Sequence, residues 1–160
     1  MKAEFQKQYA HTWRVFERLV NDFDDAAWFK AGRRATRPVR LSFHILKATK
    51  YYLEDGSEFR FASGKPFETD CEKAPDEALP SRADIVDGIK RFTEKTDGWL
   101  SDMDYSATNT AFPWAGESRL GVVIFLMRHS IYHLGELSSL LNESRNGDAE
   151  DHYVKALEGT

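Results

Sequence analysis

Two histidines one helical turn apart, His129 and His133, lie in segment 119–142 among Val122, Leu126, Leu137 and Leu140. At that spacing both imidazoles leave the same side of a helix, and here that side is apolar. Buried imidazoles need partners, and two facing one volume favour a shared one. A metal ion is the most economical candidate. His44 offers a third nitrogen, from the other segment that sets a histidine among apolar residues, with Leu41, Ala48 and Tyr51 on its side. Bundles commonly build metal sites from facing helices, so the triad needs only these two helices to be neighbours. Three neutral nitrogens leave at least one coordination position open, the pattern of a catalytic metal rather than a closed structural zinc. Imidazole suits zinc, nickel, copper or iron, and the residues alone do not choose among them. A zinc ion there would generate hydroxide or hold a thiolate.

Other side chains bear on this centre. Glu136, one turn beyond His133, is a candidate fourth ligand, proton shuttle or acceptor that orients an imidazole. The last role is preferred, because direct ligation would close the site. Tyr51, Tyr52 and Trp114 are candidate pocket walls, although aromatics at helical spacing are more often core. Arg128 and Tyr132 flank the ligands off their face and are read as packed or solvated. His11, opposite the stripe of Tyr9, Trp13 and Phe16, is expected to be exposed, and His152 falls in a polar tail. Cys71 sits among acidic residues, which should raise its pKa and dull it as a nucleophile. Lys30, Arg33, Arg34, Arg37 and Arg40 form a basic run, read as a solvated link or an attractor of anionic cosubstrates.

The elements that must position these residues read as four helices with no convincing strand. Helical periodicity spans about Lys2–Phe23, and a second helix starts near Pro38, a residue favoured in a first turn, and runs to about Asp55. Ser81 with Asp84 three residues on is close to a capping box and opens a third helix ending near Met103. The histidine helix runs from about Ser118 to Asn142. A weaker stretch, Asp148–Leu157, predicts a short C-terminal helix. The link Gly56–Pro80 is long and aperiodic, which is unusual in a compact domain unless it crosses the fold or covers a site. Read as an overhand crossover, it lets helices two and three run parallel, giving an all-α four-helix bundle.

At 160 residues the chain is expected to form one domain, 1–160, burying about 68–70% of its unfolded surface. That size does not need a metal for folding, so a bound metal would be functional rather than architectural. A net charge of −4 without a basic stripe argues against nucleic acid as a partner. Cys71 is the only cysteine, which rules out an intrachain disulfide and favours a reducing compartment. The amino-terminal residues lack the apolar run of a signal peptide, and no 18-residue apolar run occurs. The expectation is a cytoplasmic protein without membrane association.

The combination of His44 in the second helix, His129, His133, Gly135 and Glu136 in the fourth, and the Pro113–Trp114 turn before it resembles the DinB/YfiT-like superfamily of metal-dependent four-helix bundles. The resemblance spans the chain from helix one to about Asn142. It implies an up-down-down-up bundle in 1-2-4-3 order, with a divalent metal, most often nickel or zinc, on the three histidines. It further implies a homodimer and, from characterised relatives, reactions of low-molecular-weight thiols such as S-transfer and thiol-dependent isomerisation. Many members carry another histidine where this chain has Tyr132, so any role of that extra imidazole is not carried over. Three readings stay open: a metal-dependent transferase using a small thiol, a hydrolase using metal-bound hydroxide, and a non-catalytic bundle that binds a metal or ligand.

Overall fold

Each of the four periodic stretches becomes a long helix in the computed structural model, which describes residues 1–33 and 35–157. The helices are α1 (Lys2–Asp22), α2 (Asp25–Trp28), α3 (Pro38–Tyr52), α4 (Arg82–Asp102), α5 (Arg119–Ser144) and α6 (His152–Lys155). Among the described residues there is no strand, only two isolated bridges. The histidine helix runs two residues past the expected end, and α3 stops earlier than expected. Its cap is Leu53, and Glu54 then takes a φ of 54°, which breaks the helix. The expected C-terminal helix shrinks to one turn capped by the Asp151 carboxylate. The one-turn α2, capped by Asp24, was read only as a link; it buries Trp28 against Phe23.

Cross-links between helices give their directions. Gln6 donates to Asp97 (2.8 Å) while Arg82 reaches Asp25 (2.7 Å), so α1 and α4 are antiparallel. Tyr9 donates to the Val123 carbonyl (2.7 Å) and Arg145 to Asp22 (2.7 Å), so α1 and α5 are parallel. Tyr52 meets Phe125 while His44 meets His133, which makes α3 and α5 antiparallel. Leu46 lies over Gly88 while Asp55, just past α3, binds Lys95 (2.6 Å), which makes α3 and α4 parallel. The path is up-down-down-up. The close backbone approaches join α1 to α4 and α5, and α3 to α4 and α5. They do not establish the expected 1-2-4-3 order, which would seat the first long helix beside the second. One reason α3 comes so near α4 is Gly88: a Cβ there would stand 2.7 Å from Leu46 Cδ1.

The long link between α3 and α4 crosses the fold. It sends Phe59, Phe61 and Phe67 into the core, where they surround Phe43 and Phe92 at ring separations of 5.1–5.7 Å. Aromatic burial of this kind, 150–250 Å² per ring, supplies much of what a segment whose only regular element is the 3₁₀ turn Asp76–Ala78 needs to stay ordered. The capping box at α4 forms as the residue spacing predicts, with Asp84 as its acidic partner. Asp84 also accepts from the backbone N–H of Ser63, tying the crossover to the helix start.

Candidate metal centre

His44 projects from the middle of α3, and His129 and His133 from successive turns of α5. Antiparallel packing of these two helices brings the three imidazoles together. Ring centroids are 5.2 Å apart for His44 and His129, 4.7 Å for His44 and His133, and 4.5 Å for His129 and His133. Each residue offers one nitrogen such that all three nitrogens lie within 4.8 Å of one another. Tetrahedral zinc with bonds of about 2.0–2.1 Å sets its ligand nitrogens about 3.4 Å apart. An ion would therefore draw the rings together by up to about 1.4 Å.

Three features test whether the group fits a cation. The first is His129 Nε2, which is buried and has no hydrogen-bond partner among the described residues. A nitrogen in that position is destabilising unless something completes it. The second is protonation. Burial, with His133 and His44 nearby, pushes the His129 imidazole down to about 4. Burial and then His133 lower His44 as well, against smaller opposing effects of Glu72 and Glu136. Two of the three rings are thereby held neutral, the form that ligates metal. The third is orientation: His133 Nδ1 stands 2.8 Å from Glu136 Oε2. A carboxylate only accepts, so Nδ1–H donates, and in the neutral ring Nε2 is the nitrogen left to ligate. A carboxylate behind a ligating imidazole in this way fixes the tautomer and makes the ligand nitrogen more basic. The three histidines can hold a metal ion, and Glu136 orients one of them.

Aromatic residues enclose the triad on one side. Phe125 stacks on His129 (6.3 Å, 13°), and buried Tyr52 lies 6.4 Å from the same ring. The Trp114 indole N–H donates to the Tyr52 hydroxyl (3.1 Å), so the Pro113–Ala115 turn supports the wall from outside. Of the three aromatics considered as walls, only Tyr52 reaches the triad as a buried group, while Tyr51 and Trp114 are exposed. Tyr132 is also exposed, with its ring 5.1 Å from His133. Arg128 is exposed, its guanidinium 5.9 Å from the Phe125 ring. Glu136 and Tyr132 also line an open cleft of about 870 Å³ shared with Ser139, Arg33 and Glu143, which none of the three histidines lines.

The remaining expectations resolve individually. Arg40, one turn before His44, donates to the carbonyls of Cys71, Glu72 and Ala74 (2.8–3.0 Å) and to Asp76 (3.3 Å). Arg37 also pairs with Asp76. These two members of the basic run clamp the crossover onto α3, and Arg34 lies outside the described residues. Cys71 is buried, and burial raises its thiol, with Glu72 and Asp70 adding to the effect and Lys47 opposing it. His11 and His152 depart most from expectation. Both are buried, because α6 folds back over α1 and covers them. Nothing within α1 signals that cover; only the weak periodicity of the last residues hinted at it.

No family model matches the chain, and no curated protein matches it. Among the described residues no helix is long and apolar enough to cross a membrane.

Proposed function

We propose that the chain is a DinB-like metal-dependent protein in which His44, His129 and His133 hold one divalent ion, zinc or nickel, and which acts on a low-molecular-weight thiol. The observation that carries this reading is the buried, unpartnered Nε2 of His129, in a ring whose centroid lies 5.2 and 4.5 Å from those of two further imidazoles. A divalent ion there would stabilise a thiolate at neutral pH. The chain's own residues would do the rest. Glu136 keeps His133 in its ligating tautomer, Tyr52 and Phe125 exclude water from the aromatic side, and the cleft beyond Glu136 admits the thiol and its electrophilic acceptor. The reaction would be S-transfer, in which the thiolate sulfur bonds to the acceptor's electrophilic atom and the acceptor's leaving group departs with the electron pair.

A second reading, hydrolysis, is favoured by one observation: Glu136 both touches His133 and lines the open cleft, where it could relay a proton. Homodimerisation belongs to the resemblance and is proposed with it, whereas a cytoplasmic site of action is proposed from the single cysteine and the lack of a long apolar run. Cobalt substitution tests the main reading. Cobalt-loaded protein titrated with a small thiol should develop a sulfur-to-metal charge-transfer band that His129→Ala abolishes. A spectrum unchanged by every thiol tried would refute thiol activation, and hydrolysis of ester probes that is lost in Glu136→Gln would favour the second reading.

A further inference from the structure

The open cleft beside Glu136 is lined along α5 by Glu136, Ser139, Asn142 and Glu143, with Arg33 next to Glu143. Glu136, Ser139 and Glu143 fall three and four residues apart, so they share one face of the helix. Two turns separate Glu136 from Glu143, about 10 Å at about 1.5 Å per residue. Arg33 is the only cation among the described residues that line the cleft, and its side chain is 90% exposed. Its Nε faces Glu143 at 3.8 Å, longer than a hydrogen bond, which leaves both Nη groups to a ligand. At the other end Glu136 gives one oxygen to His133 and stays 31% exposed, so its carboxylate touches both the triad and the cleft. A ligand in the cleft reaches the metal centre only past Glu136, because no histidine of the triad lines it. The cleft is therefore placed to hold a ligand's tail rather than its reacting atom.

We propose that this cleft seats the tail of a peptide thiol about three residues long, with its free carboxylate on Arg33 and its cysteine at the Glu136 end. The inference rests on the thiol reading of the triad and names the substrate class for it. Length sets the size: an extended chain covers about 3.3–3.6 Å per residue, so about three residues span the distance from Glu136 to Arg33. Charge sets the ends. Arg33 offers the paired donors that a carboxylate takes, and the Glu136 carboxylate faces the peptide's ammonium group. Polarity sets the middle, since exposed Ser139 and Asn142 offer a hydroxyl and an amide to peptide groups. A thiol without such a tail, 2-mercaptoethanol for one, leaves these groups to water.

The test uses the tripeptide Ala-Gly-Gly and its C-terminal amide on the metal-free full chain, followed by NMR shifts of the Gly135, Ser139 and Asn142 backbone amides. The acid should bind with Kd at or below about 1 mM. It should bind about five-fold more tightly than the amide, the most that an exposed ion pair supplies. Arg33→Gln, at an exposed position that spares the core, should bring the acid down to the affinity of the amide. On cobalt-loaded protein the charge-transfer band should saturate at about five-fold less Cys-Gly-Gly than its amide, a difference lost in Arg33→Gln. Absence of that band with every thiol would refute the thiol reading alone, because the Ala-Gly-Gly titration decides the cleft without it. A band that saturates equally with both cysteine peptides would overturn the link between cleft and triad. Equal binding of Ala-Gly-Gly and its amide to wild type, a preference that persists in Arg33→Gln, or no shifts at the cleft would overturn the subsite.

Discussion

Replacing Glu136 by glutamine tests how the triad is organised. The carboxylate lies 2.8 Å from His133 Nδ1, with side-chain exposures of 31% for the glutamate and 16% for the histidine. Glutamine keeps an acceptor oxygen in place and removes the charge. Loss of a partner behind a ligating histidine typically costs 10–100-fold in metal affinity. Partial exposure screens the charge, so Glu136→Gln should sit near the lower end, about ten-fold or 1.4 kcal/mol. Glu136→Ala, which removes the acceptor as well, should fall toward the upper end. The assay is zinc competition against a chromophoric chelator, with circular dichroism to show that the apoproteins remain folded. Glu143→Gln is the control: it lies two turns further along the same helix and pairs with Arg33 at 3.8 Å. Its affinity should match wild type. Wild-type affinity in Glu136→Gln, or equal losses in both variants, would refute the orienting role.

Four further outcomes follow from the geometry. The His129 imidazole titrates near 4 when folded, below its unfolded value of about 6.5. The unfolded chain then binds more protons in that window, so apoprotein stability is full above about 6.5 and is lost as pH falls toward 4; melting curves should show this, and His129→Leu should flatten it. Gly121→Ala should destabilise by about 1–3 kcal/mol, because a Cβ there would stand 2.4 Å from the Ala115 carbonyl oxygen. Exposed Gly98, whose Cβ would meet nothing within 4 Å, should instead gain stability as alanine, by about 0.4–1 kcal/mol on denaturant titration. Asp84→Ala should cost about 1–2 kcal/mol by the same titration, since it removes the acceptor for Ser81 and for Ser63 of the crossover; an unchanged midpoint would show that the capping box contributes nothing.

The four long helices were legible because each carries enough apolar residues at helical spacing to define a face, and the triad because His44, His129 and His133 all lie on such faces. What escaped depended on contacts distant in sequence. Phe59, Phe61 and Phe67 have no periodicity of their own; their burial comes from Phe43 and Phe92 on two different helices. Arg37 and Arg40 looked like a solvated basic run until the crossover's carbonyls and Asp76 came to meet them. His11 lies off the stripe by which α1 packs into the bundle, so a helical wheel puts it in solvent. The element that covers it is a single turn some 140 residues later in the chain.

The most direct measurement of the central claim is metal content by elemental mass spectrometry, on untagged protein purified without chelator. The account predicts close to one divalent ion per chain in the wild type and none in His44→Ala/His129→Ala/His133→Ala. A wild type that stays empty after reconstitution with zinc and with nickel, or a triple variant that retains its ion, would contradict it.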